Sequence, residues 1–275
     1  MKKYSMINGF KNFVKEMNDN RQFIFRLAKN DFRTKYAGAY LGIFWAFVQP
    51  VIMILLYWIV FQVVFQSGAW NGYPYVLGLM TGLVPWFYFS ESFCAATNAL
   101  TEYSYLVKKV VFQVQLLPAI KIVSTLYVHL FFVCFTVVVF AVNGYMPSIY
   151  LVQIVYYLLA MMLFVLGLSY ITSAISVFMK DLIQLIQICM QVWMWATPIL
   201  WNIAVMPQTY HKYGWLLKLN PLYYLIQGYR DAWMNHIWFW ERPGYMCYFW
   251  TVTIGMLWIG KKVFRRLQPH FADVL

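Results

Sequence analysis

Nine carboxylates, four histidines and four cysteines are the side chains this 275-residue sequence offers for carboxylate acid–base chemistry or for holding a metal. The acids are Glu16, Asp19, Asp31, Glu91, Glu102, Asp181, Asp231, Glu241 and Asp273, and they are scattered. General acid–base work, or a metal held by carboxylates, needs at least two to converge. Convergence is conceivable only in the long connection that carries Asp231 and Glu241. There is no HExxH and no GxxxxGK[ST] loop, so neither that zinc site nor that phosphate cradle is encoded. His129 has no His, Cys or carboxylate three or four residues away and reads as a hydrogen-bonded core residue rather than a ligand. Cys94, Cys134, Cys189 and Cys247 fall singly in or beside apolar segments and read as small buried hydrophobes. The expectation is no catalytic residue, no metal site and no cofactor bound by this chain. What is abundant is ring surface, with 13 Trp, 22 Tyr and 23 Phe. Membrane-interface belts account for many of these rings. Clusters inside apolar segments, Trp86 to Phe89 and the pair Trp193 and Trp195, suit a path for sugars, whose C–H faces pack on rings while hydroxyls take hydrogen bonds.

The elements that must carry those rings are membrane helices. With 63% hydrophobic and 11% charged residues, the sequence excludes a solvated globular domain. Apolar stretches run over roughly 42 to 65, 75 to 97, 117 to 141, 150 to 178, 183 to 205 and 246 to 263. Each reaches or approaches the ~20 residues a helix needs to cross about 30 Å of hydrocarbon. Of the 21 Lys and Arg residues, 17 lie on one set of connecting segments, and only Lys212, Lys218, Arg230 and Arg242 lie on the other. The positive-inside rule then places both termini in the cytoplasm of a multi-pass plasma-membrane protein. The net charge of +12 sits beside the spans and faces lipid headgroups rather than nucleic acid. The first forty residues lack a cleavable signal. One membrane domain covers 1–275: a cytoplasmic N-terminus over 1–41, a six-helix region over 42–263 and a tail over 264–275.

Between the spans the pattern is specific. Arg21 to Tyr36 sets Phe23, Ile24, Leu27, Ala28 and Phe32 on one helical stripe with Arg26, Lys29, Arg33 and Lys35 largely off it. This predicts a helix lying in the interface, against the alternative of a solvated helix that merely precedes the membrane. Pro50 predicts a kink in the first span. Gly78, Gly82 and Pro85 predict an irregular outer half of the second. Glu91, its one acid, serves either a structural hydrogen bond or a pathway. Leu100 to Leu117 is long and apolar for a turn, and is either a short docking helix or an extension of the third helix. Lys180 and Asp181 mark a tight turn that makes the fourth and fifth spans an antiparallel hairpin. After Asn220 and Pro221, a helix start, Leu222, Leu225, Ile226, Tyr229 and Trp233 recur at helical spacing. That segment either dips back into the membrane or packs on its surface.

Several of these residues resemble a known family. Asp31 to Tyr36 followed by Leu41, Gly42, Trp45 and Pro50 resembles the entry to the first span of ABC-2 type polysaccharide-exporter permeases. Pro147 to Ile149, Pro198 to Trp201, and Asn220, Pro221, Tyr223, Tyr229 and Arg230 continue the likeness in order. The tail Phe271 to Leu275 is similar to that of Gram-positive teichoic acid translocation permeases. The resemblance implies a homodimer of six-helix subunits with two copies of a separate ABC ATPase that binds ATP and Mg. It implies a coupling helix near Tyr105 to Gln115, which includes Lys108, Lys109 and Phe112. Here Phe112-Gln113-Val114 departs from the Phe-Pro common in relatives. Arg26, Lys29 and Arg33 of the interfacial helix would share the ATPase contact. Re-entrant helices over about 215–233, with Leu222, Tyr223, Ile226, Tyr229 and Trp233, would form an exit gate. The path would run along the first, second and fifth helices, with Tyr57, Trp58, Phe61, Trp86, Tyr88, Trp193 and Trp195 as lining and Arg230 as a phosphate contact. The implied cargo is undecaprenyl-linked wall teichoic acid, with O-antigen or capsular polysaccharide as the alternative. A membrane-embedded enzyme of glycolipid metabolism, or a non-ABC carrier, is the reading from another class.

Overall fold

The computed structural model describes residues 19–108, 113–202 and 214–275, and every regular element among them is helical. Helix α1 spans Arg21–Lys35. Helix α2 (Trp45–Trp58) is entered by a 3-10 turn at Gly42–Phe44 and continued by a π-helical stretch, Ile59–Val64. Then follow α3 (Tyr75–Glu102), the one-turn α4 (Ser104–Val107), α5 (Leu116–Val142) and α6 (Gln153–Ser176). Helix α7 (Leu182–Ala196), α8 (Gly214–Lys218) and α9 (Pro221–Arg230) precede the long α10 (Pro243–Leu267) and the terminal turn α11 (Phe271–Val274). Among the described residues, three helical stretches are both long and apolar enough to cross a membrane: Gly42–Val64, Leu116–Val142 and Ile149–Ser176. Helices α3 and α10 have the length, with 28 and 25 residues, but carry more polar side chains.

Two expectations are corrected. The second span is one continuous α-helix through Pro85, with no irregular half. Neighbouring helices bury it on nearly all sides, and the fixed φ of proline is compatible with a helix once the single lost bond is tolerated. The fifth span does not run to residue 205: α7 is 15 residues long and stops at Ala196. Thr197 is extended (φ −103°, ψ 135°), the conformation forced on a residue that precedes proline, here Pro198.

Helix α3 is the centre of the bundle, with Leu77, Leu79, Leu83, Phe89, Ala96 and Leu100 fully buried. Helices α5 and α6 pack on it, and α10 packs on α6. Gly167 and Gly260 permit that last contact: a Cβ on Gly260 would lie 2.5 Å from the Gly167 carbonyl oxygen, and one on Gly167 would lie 2.9 Å from the Leu257 nitrogen. Without a hydrophobic drive between helices in lipid, such close backbone approach is what small residues contribute. Helix α2 and its π extension are uncovered by contrast, with Ile52, Leu55, Leu56, Ile59, Val63 and Val64 exposed, as are Leu185, Ile188, Val192 and Trp195 of α7. Cys134, Cys189 and Cys247 also face outward, so the reading of them as buried hydrophobes holds only in part, for the half-buried Cys94. Gly260→Ala should therefore destabilise the purified protein by about 1–3 kcal/mol, read as a lowered melting temperature in detergent. An unchanged melt would refute the tight α6–α10 seam.

Candidate functional site

Polar side chains gather at two ends of the bundle. At the first end, the stripe of α1 that is buried is Ile24, Ala28 and Asp31, and it rests on α5, so α1 is docked on the bundle. Its buried carboxylate is answered from α5: Lys121 Nζ lies 2.6 Å from Asp31 Oδ1 and 2.6 Å from Glu102 Oε1. The Tyr103 hydroxyl donates to the same Asp31 oxygen at 2.5 Å. Burial, reinforced by the Asp31 carboxylate, pushes the Tyr103 hydroxyl well above its usual range, so it remains a donor. Two acids thus do converge outside the long connection, contrary to the sequence reading. They converge on a lysine, which makes a structural knot rather than an acid–base pair. Glu91 takes the structural alternative, pairing with Lys35 at 2.5 Å. Burial lowers the Lys35 pKa, but the Glu91 charge and hydrogen bond outweigh it and leave it raised, so Lys35 stays cationic at neutral pH.

The knot frames the connection between α3 and α5. Tyr103 leaves helical geometry (φ −101°, ψ 31°), and only Ser104–Val107 forms a helical turn. Of the coupling helix expected over Tyr105 to Gln115, the described residues hold the turn Ser104–Val107 and the turn residues before α5, while Lys109 and Phe112 lie outside the described residues. Asn20, before α1, donates to Gln113 at 3.1 Å, and the Gln115 carbonyl accepts from Tyr170. Arg26, Lys29, Arg33, Tyr105 and Lys108 are all exposed at this end.

At the second end, the segment after Asn220 dips into the bundle. Pro221 opens α9, and the Asn220 side chain accepts from the Leu222 N–H at 3.0 Å. The same side chain accepts from Trp193 Nε1 at 3.0 Å and donates to Thr197 Oγ1 at 2.8 Å, tying the start of α9 to the broken end of α7. The carbonyls freed by that break are met by side chains: Arg230 donates to Ile199 O at 3.1 Å and Tyr75 to Leu200 O at 2.6 Å. Leu222, Ile226, Tyr229 and Trp233 are buried, and Tyr223 is half-buried. Tyr229 hydrogen-bonds His129 Nε2 of α5 at 2.8 Å, which gives the lone histidine its core role. The α9 helix relaxes into a π turn, Asp231–Asn235, and ends at left-handed His236 (φ 55°). Tyr73 and Gln153 cap the Met234 and Ile237 carbonyls. Asp231 accepts from Gln227 and Asn235 and pairs with Arg242 at 3.0 Å, while Glu241 accepts from the Trp238 N–H.

The aromatic candidates do not share one surface. Trp86 and Tyr88 are buried inside the subunit, Tyr88 against His129. Arg230 is 5% exposed, with its guanidinium 4.4 Å from the Trp70 ring centre and an Nη2 N–H donated to Ile199 O. Tyr57, Trp58, Phe61 and Trp193 are half-buried, and Trp195 is exposed. Tyr57 reaches α7 through Met194, and Trp193, on α7, reaches the start of α9 through Asn220.

Residues 22–234, from α1 through the re-entrant segment, match the family described as ABC-2 type transporter. The chain belongs to that family. Across 94% of this ABC-2 chain and 98% of the relative, it is 27% identical to the O-antigen export system permease protein RfbA of Myxococcus xanthus. Two proteins of the same name from Klebsiella pneumoniae are 27% and 28% identical over 90% of this chain and 93% of theirs. These relatives are membrane subunits of transporters by name.

Sequence reasoning about this ABC-2 permease missed Asp31, Glu102, Tyr103 and Lys121 as a unit. The spacing within α1, where Asp31 falls three residues beyond Ala28 on the buried stripe, was the available signal. Removing one member of a buried ion pair strands the other charge, at a cost of about 3–5 kcal/mol. Lys121→Met should accordingly lower stability strongly, and Asp31→Leu combined with it should restore most of the loss, as followed by detergent melting curves. Tyr229→Phe removes a single buried hydrogen bond and should cost about 1–3 kcal/mol in the same measurement. Equal melting of wild type and Tyr229→Phe would show that His129 does not hold the re-entrant segment.

Proposed function

We propose that this permease is the membrane subunit of an ATP-driven exporter of a lipid-linked surface polysaccharide of the O-antigen class. The observation that carries the reading is the end-to-end similarity to O-antigen export permeases, which includes both polar ends of the bundle. In this reading the termini are cytoplasmic, and the exposed Arg26, Lys29, Arg33, Tyr105 and Lys108 dock a separate ATPase, two copies of which serve a permease homodimer. Lys109 and Phe112 belong to the same contact by sequence position. The re-entrant segment with Leu222, Tyr223, Ile226, Tyr229 and Trp233 is the exit gate. The largely uncovered α2 and α7 border the path, with Tyr57, Trp58, Phe61, Trp193 and Trp195 toward it. Trp86, Tyr88 and Arg230 support the gate from inside. An undecaprenyl-type tail stays in lipid while the sugars pass along the rings.

Teichoic acid is the second reading, favoured by the tail Phe271 to Leu275. Phe271 is fully buried against Phe264 and Phe178. A packing role accounts for that residue without reference to a substrate, which weakens the tail as an indicator of cargo.

Depletion of the permease, and separately of a co-purifying ATPase, should reduce surface polysaccharide in parallel while its lipid-linked form accumulates inside. Loss of wall phosphate alongside would restore the teichoic acid reading. Unchanged surface glycan in both strains would defeat export altogether. Trp195→Ala should lower export several-fold without changing the melting temperature. Trp193→Ala should lower both, because it also breaks the Asn220 bond.

A further inference from the structure

At the end of the bundle remote from α1, a groove of about 430 Å³ lies between α8 and the start of α10. Its walls are the rings of Trp215, Tyr245 and Tyr248, and the two charged residues that line it among the described ones, Lys218 and Arg242, are both cations. Asp231 lies beneath Arg242 at 3.0 Å and is almost fully buried, so that ion pair is internally balanced. Lys218 has no such answer: no carboxylate among the described residues lies within ion-pair distance of it, and its Nζ stands 5.8 Å from the centre of the Tyr245 ring. Gly244 leaves the floor open, since a Cβ there would meet nothing within 4 Å. The Tyr248 hydroxyl is tied to Leu219 O at 2.6 Å, which fixes the ring edge that both closes the groove and begins the next feature. Down the same face of α10 from Tyr248 lie the half-buried Val252 and the exposed Ile259, with the exposed Trp258 beside it. A groove carrying one uncompensated positive charge at the head of a partly exposed apolar stripe has the layout of an anionic lipid: phosphate above, acyl chain below.

We propose that this groove binds the phosphodiester headgroup of an anionic bilayer phospholipid. Lys218 supplies the charge, Arg242 its remaining N–H donors, and Trp215 and Tyr248 the interfacial rings. The site adjoins the segment over 215–233 expected to form the gate, from which it takes Trp215 and Lys218, and it does not depend on which polymer is exported.

The test is native mass spectrometry of the full-length protein purified in non-ionic detergent, titrated with phosphatidylglycerol or with phosphatidylcholine of the same acyl chains. Wild type should retain phosphatidylglycerol in preference. Lys218→Gln should weaken that retention about fivefold, the share one lysine contributes at an anionic lipid surface. Lys218→Arg should keep it, and the melting temperature without added lipid should stay unchanged in both variants because Lys218 is exposed. Equal retention of phosphatidylglycerol by wild type and Lys218→Gln would overturn the assignment. So would Lys218-dependent binding of glucose 1-phosphate that phosphatidylglycerol fails to displace, since that would make the groove a glycan site.

Discussion

A backbone polar group freed inside a membrane bundle has no water to turn to, and much of this structure answers that constraint. Pro198 ends α7 early and leaves the backbone that follows outside any helical ladder. Arg230, Tyr75 and Asn220 each spend a donor there, on Ile199 O, Leu200 O and Thr197 Oγ1. Asn220 is also the cap of α9, so the element that needs donors and the element that supplies them fold as one unit. The re-entrant segment is stable in the bundle because its own loose ends are met in turn, by Tyr73 and Gln153. A loop resting on the surface would not need this dense set of side-chain to carbonyl bonds.

The α1 end obeys the charged version of the same rule. Asp31 and Lys121 are both buried, and each answers the other's charge. Their pairing fixes α1 to α5, and Glu102 and Tyr103 extend it to the end of α3. The short turn α4 begins at the next residue, so its position is set by the knot. A force applied to α4 or to the exposed face of α1 therefore meets α3 and α5 together.

The sequence disclosed what periodicity and charge can disclose. The stripe of α1, the Asn220–Pro221 start of α9 and most span limits were legible, because 3.6-residue spacing and capping chemistry are local. Pro85 and Pro198 show where local reasoning stopped. Both interrupt apolar spans, yet one is absorbed in a helix buried on nearly all sides and the other ends its helix. The difference lies in the neighbours, which composition does not reveal. The same holds for the rings: Trp86 and Trp195 look alike in sequence, and packing puts one inside and the other out. Lys121 and Asp31 lie ninety positions apart, and no spacing rule joins them.

The uneven packing bears on how such a subunit can work. Helices α3, α5, α6 and α10 are locked by close backbone contact, buried rings and the Asp31–Lys121 knot, and displacing one against another would break many contacts at once. Helices α2 and α7 hold few buried side chains, Ala46 and Ile54 in one and Ile186, Met190 and Met194 in the other. Elements with few buried contacts move at the lowest free-energy cost. The π turn that follows α2 and the extended break that follows α7 leave each of them next to an irregular joint. Motion within the subunit is thus cheapest at α2 and α7, while the core and the re-entrant segment move as a body.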